Sequence, residues 1–118
     1  MEGTGRLDLW TAIVLRHIIA NKMAVRGIRH KGLRWLWEGG DARGVPAGSA
    51  PKLRRMIAAL HYASGPERLA GAALPGWRVH ALKGDLAGWW SLIVTDNWRL
   101  IARFEGGDAV DLDLLDCH

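Results

Sequence analysis

Between Leu60 and Trp77 the hydrophobic pattern of the chain changes period, and this change restricts the fold more than any other feature. Before it, Leu53, Met56, Ile57 and Leu60 recur at helical spacing while Lys52, Arg54 and Arg55 face away. Further upstream, His30 to Glu38 sets Leu33, Leu36 and Trp37 on one side with Lys31 and Arg34 elsewhere, then stops at Gly39-Gly40. After the change the period is that of strands: Trp77 to His80, Trp89 to Val94, Trp98 to Phe104, and Ala109 to Leu115. Thr95-Asp96-Asn97 and Glu105-Gly106-Gly107-Asp108 have turn chemistry, so neighbouring runs join as antiparallel hairpins. Helices followed by a meander predict an α+β fold, with two N-terminal helices packed on one face of a small antiparallel β-sheet. A short β-like piece, Ala24 to Ile28, precedes the helices, and a turn-rich loop, Asp41 to Pro51, separates them.

A chain of 118 residues has room for one core. Ahead of that core, Trp10, Ile13, Val14, His17 and Ile18 have the spacing of an amphipathic helix, so an extra N-terminal helix is expected. Because Met23 opens a stretch that makes sense by itself, the expected organisation is a helical extension over 1–22 and a domain over 23–118. Arg16 and His17 interrupt the apolar run, no small-residue cleavage site follows it, and it is shorter than the roughly 20 residues of a membrane helix. Neither export nor membrane insertion is expected. Cys117 is the only cysteine, which excludes an intramolecular disulfide and suits a reducing cytoplasm.

Lys and Arg outnumber Asp and Glu by 16 to 12, unevenly: Met23 to Lys83 holds eleven basic and three acidic residues, Gly84 onward two and seven. A positive front attracts phosphate backbones without reading sequence, so RNA, DNA and the ribosome are natural partners, with acidic proteins next. Lys52, Arg54, Arg55 and Arg78 are its candidate RNA contacts.

Reactive residue types collect around the expected sheet: His80 and Lys83 near the end of its first long strand, Arg99 in the third, Asp116 and His118 at the end of the fourth. In an extended chain Asp116 and His118 point to one side and Cys117 to the other. RNA is cut without metal when its own 2′-hydroxyl attacks the neighbouring phosphate. The protein then supplies a base, an acid for the leaving oxygen, and cations for the charge on phosphorus. Arg99 offers a planar fork and Lys83 a compact charge. Asp116 or His80 can serve as base and His118 as acid. His80, Asp116 and His118 as a metal set is the weaker alternative; no Cys/His spacing resembles a zinc site, and no cofactor is expected.

Five stretches then stand out in order: Arg29-His30-Lys31-Gly32-Leu33, Val79-His80-Ala81-Leu82-Lys83-Gly84-Asp85, Trp90-Ser91 followed by Asn97-Trp98-Arg99-Leu100, Gly107-Asp108-Ala109, and Asp116-Cys117-His118. From about Met23 to the last residue they resemble the HigB toxins of the RelE/ParE superfamily, also called plasmid maintenance system killer proteins. The resemblance implies a small domain that enters the ribosomal A site, cuts translated mRNA, and is restrained by a helix-turn-helix antitoxin, through which it reaches operator DNA. It also implies functional roles for His80, Lys83, Arg99, Asp116 and His118: Lys and Arg neutralise the scissile phosphate, and the terminal Asp and His handle protons or orient substrate. Two features depart from the family. Cys117 stands where its members usually carry Tyr, losing a ring that stacks and a phenol that hydrogen-bonds, and the leader before Met23 is extra. Two other readings stay open at this point: a ParE-like poison of DNA gyrase, and a module that binds antitoxin or ribosome without catalysis.

Overall fold

The computed structural model describes residues 25–117, so the expected leader helix over 1–22 and the terminal His118 lie outside the described residues. In chain order the elements are β1 (Val25–Arg26), α1 (Lys31–Gly39), α2 (Ala50–Ala63), α3 (Pro66–Ala72), β2 (His80–Ala81), a 3-10 turn (Gly84–Leu86), β3 (Trp90–Ile93), β4 (Trp98–Glu105) and β5 (Asp108–Asp116).

Each boundary has a local cause. His30 caps α1 by accepting from the Leu33 N–H at 3.2 Å, and Gly40, at φ 72°, ends it by turning its own N–H back to the Leu36 carbonyl. Pro51 occupies the first turn of α2, where a missing N–H costs nothing, and Ser64 closes that helix at φ 64°. Gly32 lets α1 approach the loop that follows: a Cβ there would lie 1.9 Å from the Gly44 carbonyl oxygen, so no larger residue fits without backbone movement.

The sheet order is β1-β5-β4-β3-β2. Pairing is antiparallel from β2 through β5, as the hairpin reading expects, but β1 runs parallel to β5, with Val25 beside Ala109 and Arg26 beside Val110. The α+β class stands, and the sheet is mixed rather than wholly antiparallel. The reason is topological: β1 leaves the sheet for the helices, and only the last strand returns beside it. A third helix, α3, adds a short third member to the two expected.

One face of this sheet is the core. Leu33, Leu36, Leu53, Met56, Ile57 and Leu60 from the helices meet Leu92, Leu100 and Leu112 from the strands, every one at most 2% exposed. Burial of each such side chain stabilises by about 1.5–3 kcal/mol relative to exposure. The alternate strand positions form the other face, on which no described helix packs against these strands; it is called the open face below.

Candidate active site

Strand register decides which candidate residues share the open face. Because side chains alternate, residues paired across strands point the same way. His80 pairs with Ser91, Ser91 with Ile101 and Ile101 with Asp113, making one row across four strands. The next row holds Ile93, Arg99 and Leu115. Since Leu92, Leu100 and Leu112 take the core side, these rows belong to the open face, and His80 and Arg99 lie on it together. They are two strands apart, about 10 Å sideways.

His80 is exposed, and its Nδ1 lies 3.0 Å from the Arg78 carbonyl oxygen. A carbonyl can only accept, so the proton of the neutral ring sits on Nδ1 and Nε2 keeps its lone pair. In the neutral ring Nε2 is then the nitrogen left to accept a proton. Arg78 itself adopts φ 50°, a left-handed conformation that side-chain-bearing residues avoid. It turns the chain between buried Trp77, whose carbonyl accepts from Ile93 N–H at 2.7 Å, and the short strand β2. The strand expected from Trp77 is therefore interrupted at Arg78 and resumes at His80.

Arg99 is half-buried. Its Nη1 donates to the Thr95, Asp96 and Trp98 carbonyls at 2.7, 3.2 and 3.1 Å. One edge of the guanidinium thus laces the β3–β4 turn, and among the described residues no carboxylate neutralises it. The rest of the fork remains available to an anion.

The other candidates are placed differently. Lys83 is exposed and opens the 3-10 turn, one residue past Leu82, whose N–H bonds the Trp89 carbonyl at 2.8 Å. It thus lies beyond the Trp89 level, more than about 13 Å along the strands from the Arg99 row. Asp116 pairs with Trp98 and so starts on the face opposite Arg99, although at the same end of the sheet. Cys117 is exposed, and its N–H bonds the Asn97 carbonyl at 2.6 Å, which ties the tail to the β3–β4 turn. Lys52, Arg54 and Arg55 are on α2, whose apolar side meets the core, so they stand on the far side of the molecule from His80. Arg54 donates to the Gly40 carbonyl, and Arg55 lines a groove with Tyr62, Leu74 and Trp77.

Among the described residues no three or more His, Cys, Asp or Glu side chains group as metal ligands. No helix among them is long and apolar enough to cross a membrane.

Sequence reading missed one group. Trp89 and Trp90 are adjacent, so they cannot share a face, and Trp89 takes the open side. Arg29 and Arg103 both lie over its ring, their guanidinium carbons 5.6 and 5.7 Å from the centroid. Alternation across Trp89-Trp90 was the available signal; the arrival of Arg29 from beyond β1 was not legible.

A family described as "RelE-like toxin of type II toxin-antitoxin system HigB" matches residues 26–118. The Endoribonuclease HigB of Proteus vulgaris is 35% identical over 94 residues, spanning 80% of this chain and 99% of that protein. A solved YoeB/ParE toxin from Agrobacterium tumefaciens is 25% identical with a TM-score of 0.44, covering 80% of this chain and 93% of its own.

Proposed function

Since the chain belongs to the HigB family of RelE-like toxins from type II toxin–antitoxin systems, we propose that it is an endoribonuclease that cuts translated mRNA in the ribosomal A site. The observation that carries this reading is the pairing, on one sheet face that no described helix covers, of a histidine whose Nε2 makes no hydrogen bond among the described residues with an arginine that no described carboxylate neutralises. His80 takes the proton from the 2′-hydroxyl. The 2′-oxygen then bonds to phosphorus as the bond from phosphorus to the 5′-oxygen breaks, leaving a 2′,3′-cyclic phosphate and a 5′-hydroxyl. Arg99 stabilises the charge that gathers on the phosphoryl oxygens, a role worth about 10²- to 10³-fold in rate.

His118 protonates the leaving 5′-oxygen and Asp116, two residues before it at the same end of the sheet as Arg99, orients it, and Lys83 neutralises the RNA backbone away from the Arg99 row. Arg78, beside His80, is an RNA contact as well as a backbone support. Lys52, Arg54 and Arg55 face away from this site and suit ribosomal RNA or the antitoxin. The partners are mRNA, the ribosome and a helix-turn-helix antitoxin that links the toxin to operator DNA; the compartment is the cytoplasm. Residues 23–118 are assigned to the toxin domain in this proposal, with 1–22 as an extension ahead of it.

The test is brief induction in bacteria of the chain and of Arg99→Ala, with new mRNA 5′ ends mapped against reading frames. Cuts confined to translated codons and lost in the variant are expected. Growth arrest with intact mRNA would overturn the nuclease reading and turn attention to gyrase, and binding without toxicity would leave a module that only docks.

A further inference from the structure

The two guanidinium groups over Trp89 differ in what else they touch. Arg103 donates to Asp111 and Glu105, so its charge is already answered by carboxylates. Arg29 is exposed, and no hydrogen bond or ion pair from its side chain is seen among the described residues; it lies over the ring and feels Asp111 only through space, while Arg103 holds that carboxylate directly. A guanidinium laid over an aromatic ring has its orientation restricted while the N–H groups at its rim stay open to a ligand. That is the arrangement of a prepared anion site.

Its location gives the anion an identity. Trp90 pairs with Ala102, which puts Trp89 level with Arg103, four residues along β4 from Arg99, or about 13 Å. Lys83 lies just beyond the same level. The backbone of Arg29 is fixed beyond β5, its N–H bonding the Leu112 carbonyl at 2.7 Å, yet its side chain reaches to the Trp89 ring. The open face therefore carries Arg99 at one end, His80 between and Arg29 at the other, with Lys83 just past that end of the strands. Two cationic stations separated along a face that already holds the proposed cleavage chemistry match a polyanion strand better than one small anion.

We propose that Arg29, oriented by Trp89, binds an RNA phosphate a few nucleotides from the scissile one, making Arg29 a binding residue of the RNA track and Trp89 its positioning residue. This rests on the nuclease reading above. The track runs along the sheet from the Arg99 row to the Trp89 level, and Arg29 acts on substrate affinity rather than on the cleavage step.

The test uses the full chain and ribosomes programmed with an mRNA whose A-site codon carries 2′-O-methyl groups, which removes the attacking hydroxyl so that binding is measured without cutting. Arg29→Gln should weaken binding on the order of tenfold and reduce the slope of log affinity against log salt by about 0.7, the share of one phosphate contact on a single strand. Arg29→Lys should restore the slope and part of the affinity. Trp89→Leu should keep the slope and lose about two- to fivefold in affinity. On a cleavable message, Arg29→Gln should raise the half-saturating toxin concentration and leave the saturated rate unchanged, the reverse of Arg99→Ala. If the parent binds in an mRNA-dependent way and Arg29→Gln equals it in affinity and slope, the inference falls and the nuclease reading stands. Weakened antitoxin binding with unchanged RNA binding overturns it too. If the parent binds programmed and vacant ribosomes alike, the nuclease reading itself falls and takes this inference with it.

Discussion

The two faces of the sheet are built on opposite rules. On the helix-covered face, Leu92, Leu100 and Leu112 are wholly buried against helix leucines. On the open face, Arg99, Arg103, Asp111, Asp113 and His80 stand around Ser91, Ile101 and Val110, which are themselves at most 5% exposed. The covered face supplies folding free energy, while the open one presents groups whose value lies in what they have not yet bound. Within the open face the same distinction returns. Around the β4–β5 hairpin, Arg26 and Arg103 are matched with Glu105, Asp108 and Asp111, whereas Arg99 and Arg29 form no ion pair at contact distance among the described residues, Asp111 acting on Arg29 only through space.

The strongest way to break this division is a pair of substitutions on neighbouring strands. Leu112→Ala should cost about 2–5 kcal/mol of stability, read by denaturant unfolding, while the cutting rate per folded molecule is retained. Arg99→Ala should lose about 10²- to 10³-fold in cutting and only on the order of 1 kcal/mol of stability from its turn hydrogen bonds. Equal losses of both properties in both variants would mean that the faces do not divide the work.

Gly32→Ala is the next largest effect. The added methyl would sit 1.9 Å from the Gly44 oxygen, and overpacking of this kind costs about 1–3 kcal/mol. This glycine belongs to the Arg29-to-Leu33 stretch by which the sequence resembles its family, and the structure gives it a packing reason. A melting temperature unchanged by the substitution would show that the α1–loop contact yields freely. Cys117→Tyr belongs to the open side of the comparison: Cys117 is exposed beside the β3–β4 turn, so a phenol fits, and cleavage is expected to stay level or rise, with little change in stability.

The covered face was the more legible in sequence. Leu53, Met56, Ile57 and Leu60 repeat at helical spacing and are all buried, and both turns fall where their residues have turn chemistry. Burial on one face forces periodicity, and periodicity survives in the sequence. What it cannot encode is less regular. α3 buries only Leu69, too few apolar positions to show a period. β2 is cut short by the φ of Arg78, an ordinary residue in an unusual conformation. The parallel β1–β5 pairing joins residues more than eighty positions apart with two register pairs. At the site, His80 and Arg99 were named correctly as residues of one sheet, but their shared face depends on register. So does the separation of Asp116, which the i, i+2 argument could relate only to His118.

The smallest effect tests whether matched surface charges, Asp111 with Arg103 on the open side and Asp41 with Arg43 in the loop after α1, contribute to folding at all. Asp111 has its carboxyl held below the usual range, chiefly by hydrogen bonds from Arg103, and Asp41 is drawn down to about 2 by hydrogen bonds from Arg43. Both are acids whose folded pKa lies below the unfolded value of about 3.9. Their contribution is therefore complete above that value and is lost as pH falls through the folded pKa. The melting temperature of the parent should drop between about pH 4 and pH 2, and the double variant Asp41→Asn, Asp111→Asn should have the shallower drop. Asn tolerates the left-handed backbone that Asp111 adopts at φ 57°, so the exchange removes charge without forcing the turn. The difference should be small, because both carboxylates face solvent, and it should shrink further in high salt. Parallel curves for parent and variant would mean that the matched charges fix local geometry without stabilising the fold. The division between paired and unpaired cations would then be one of ligand access alone.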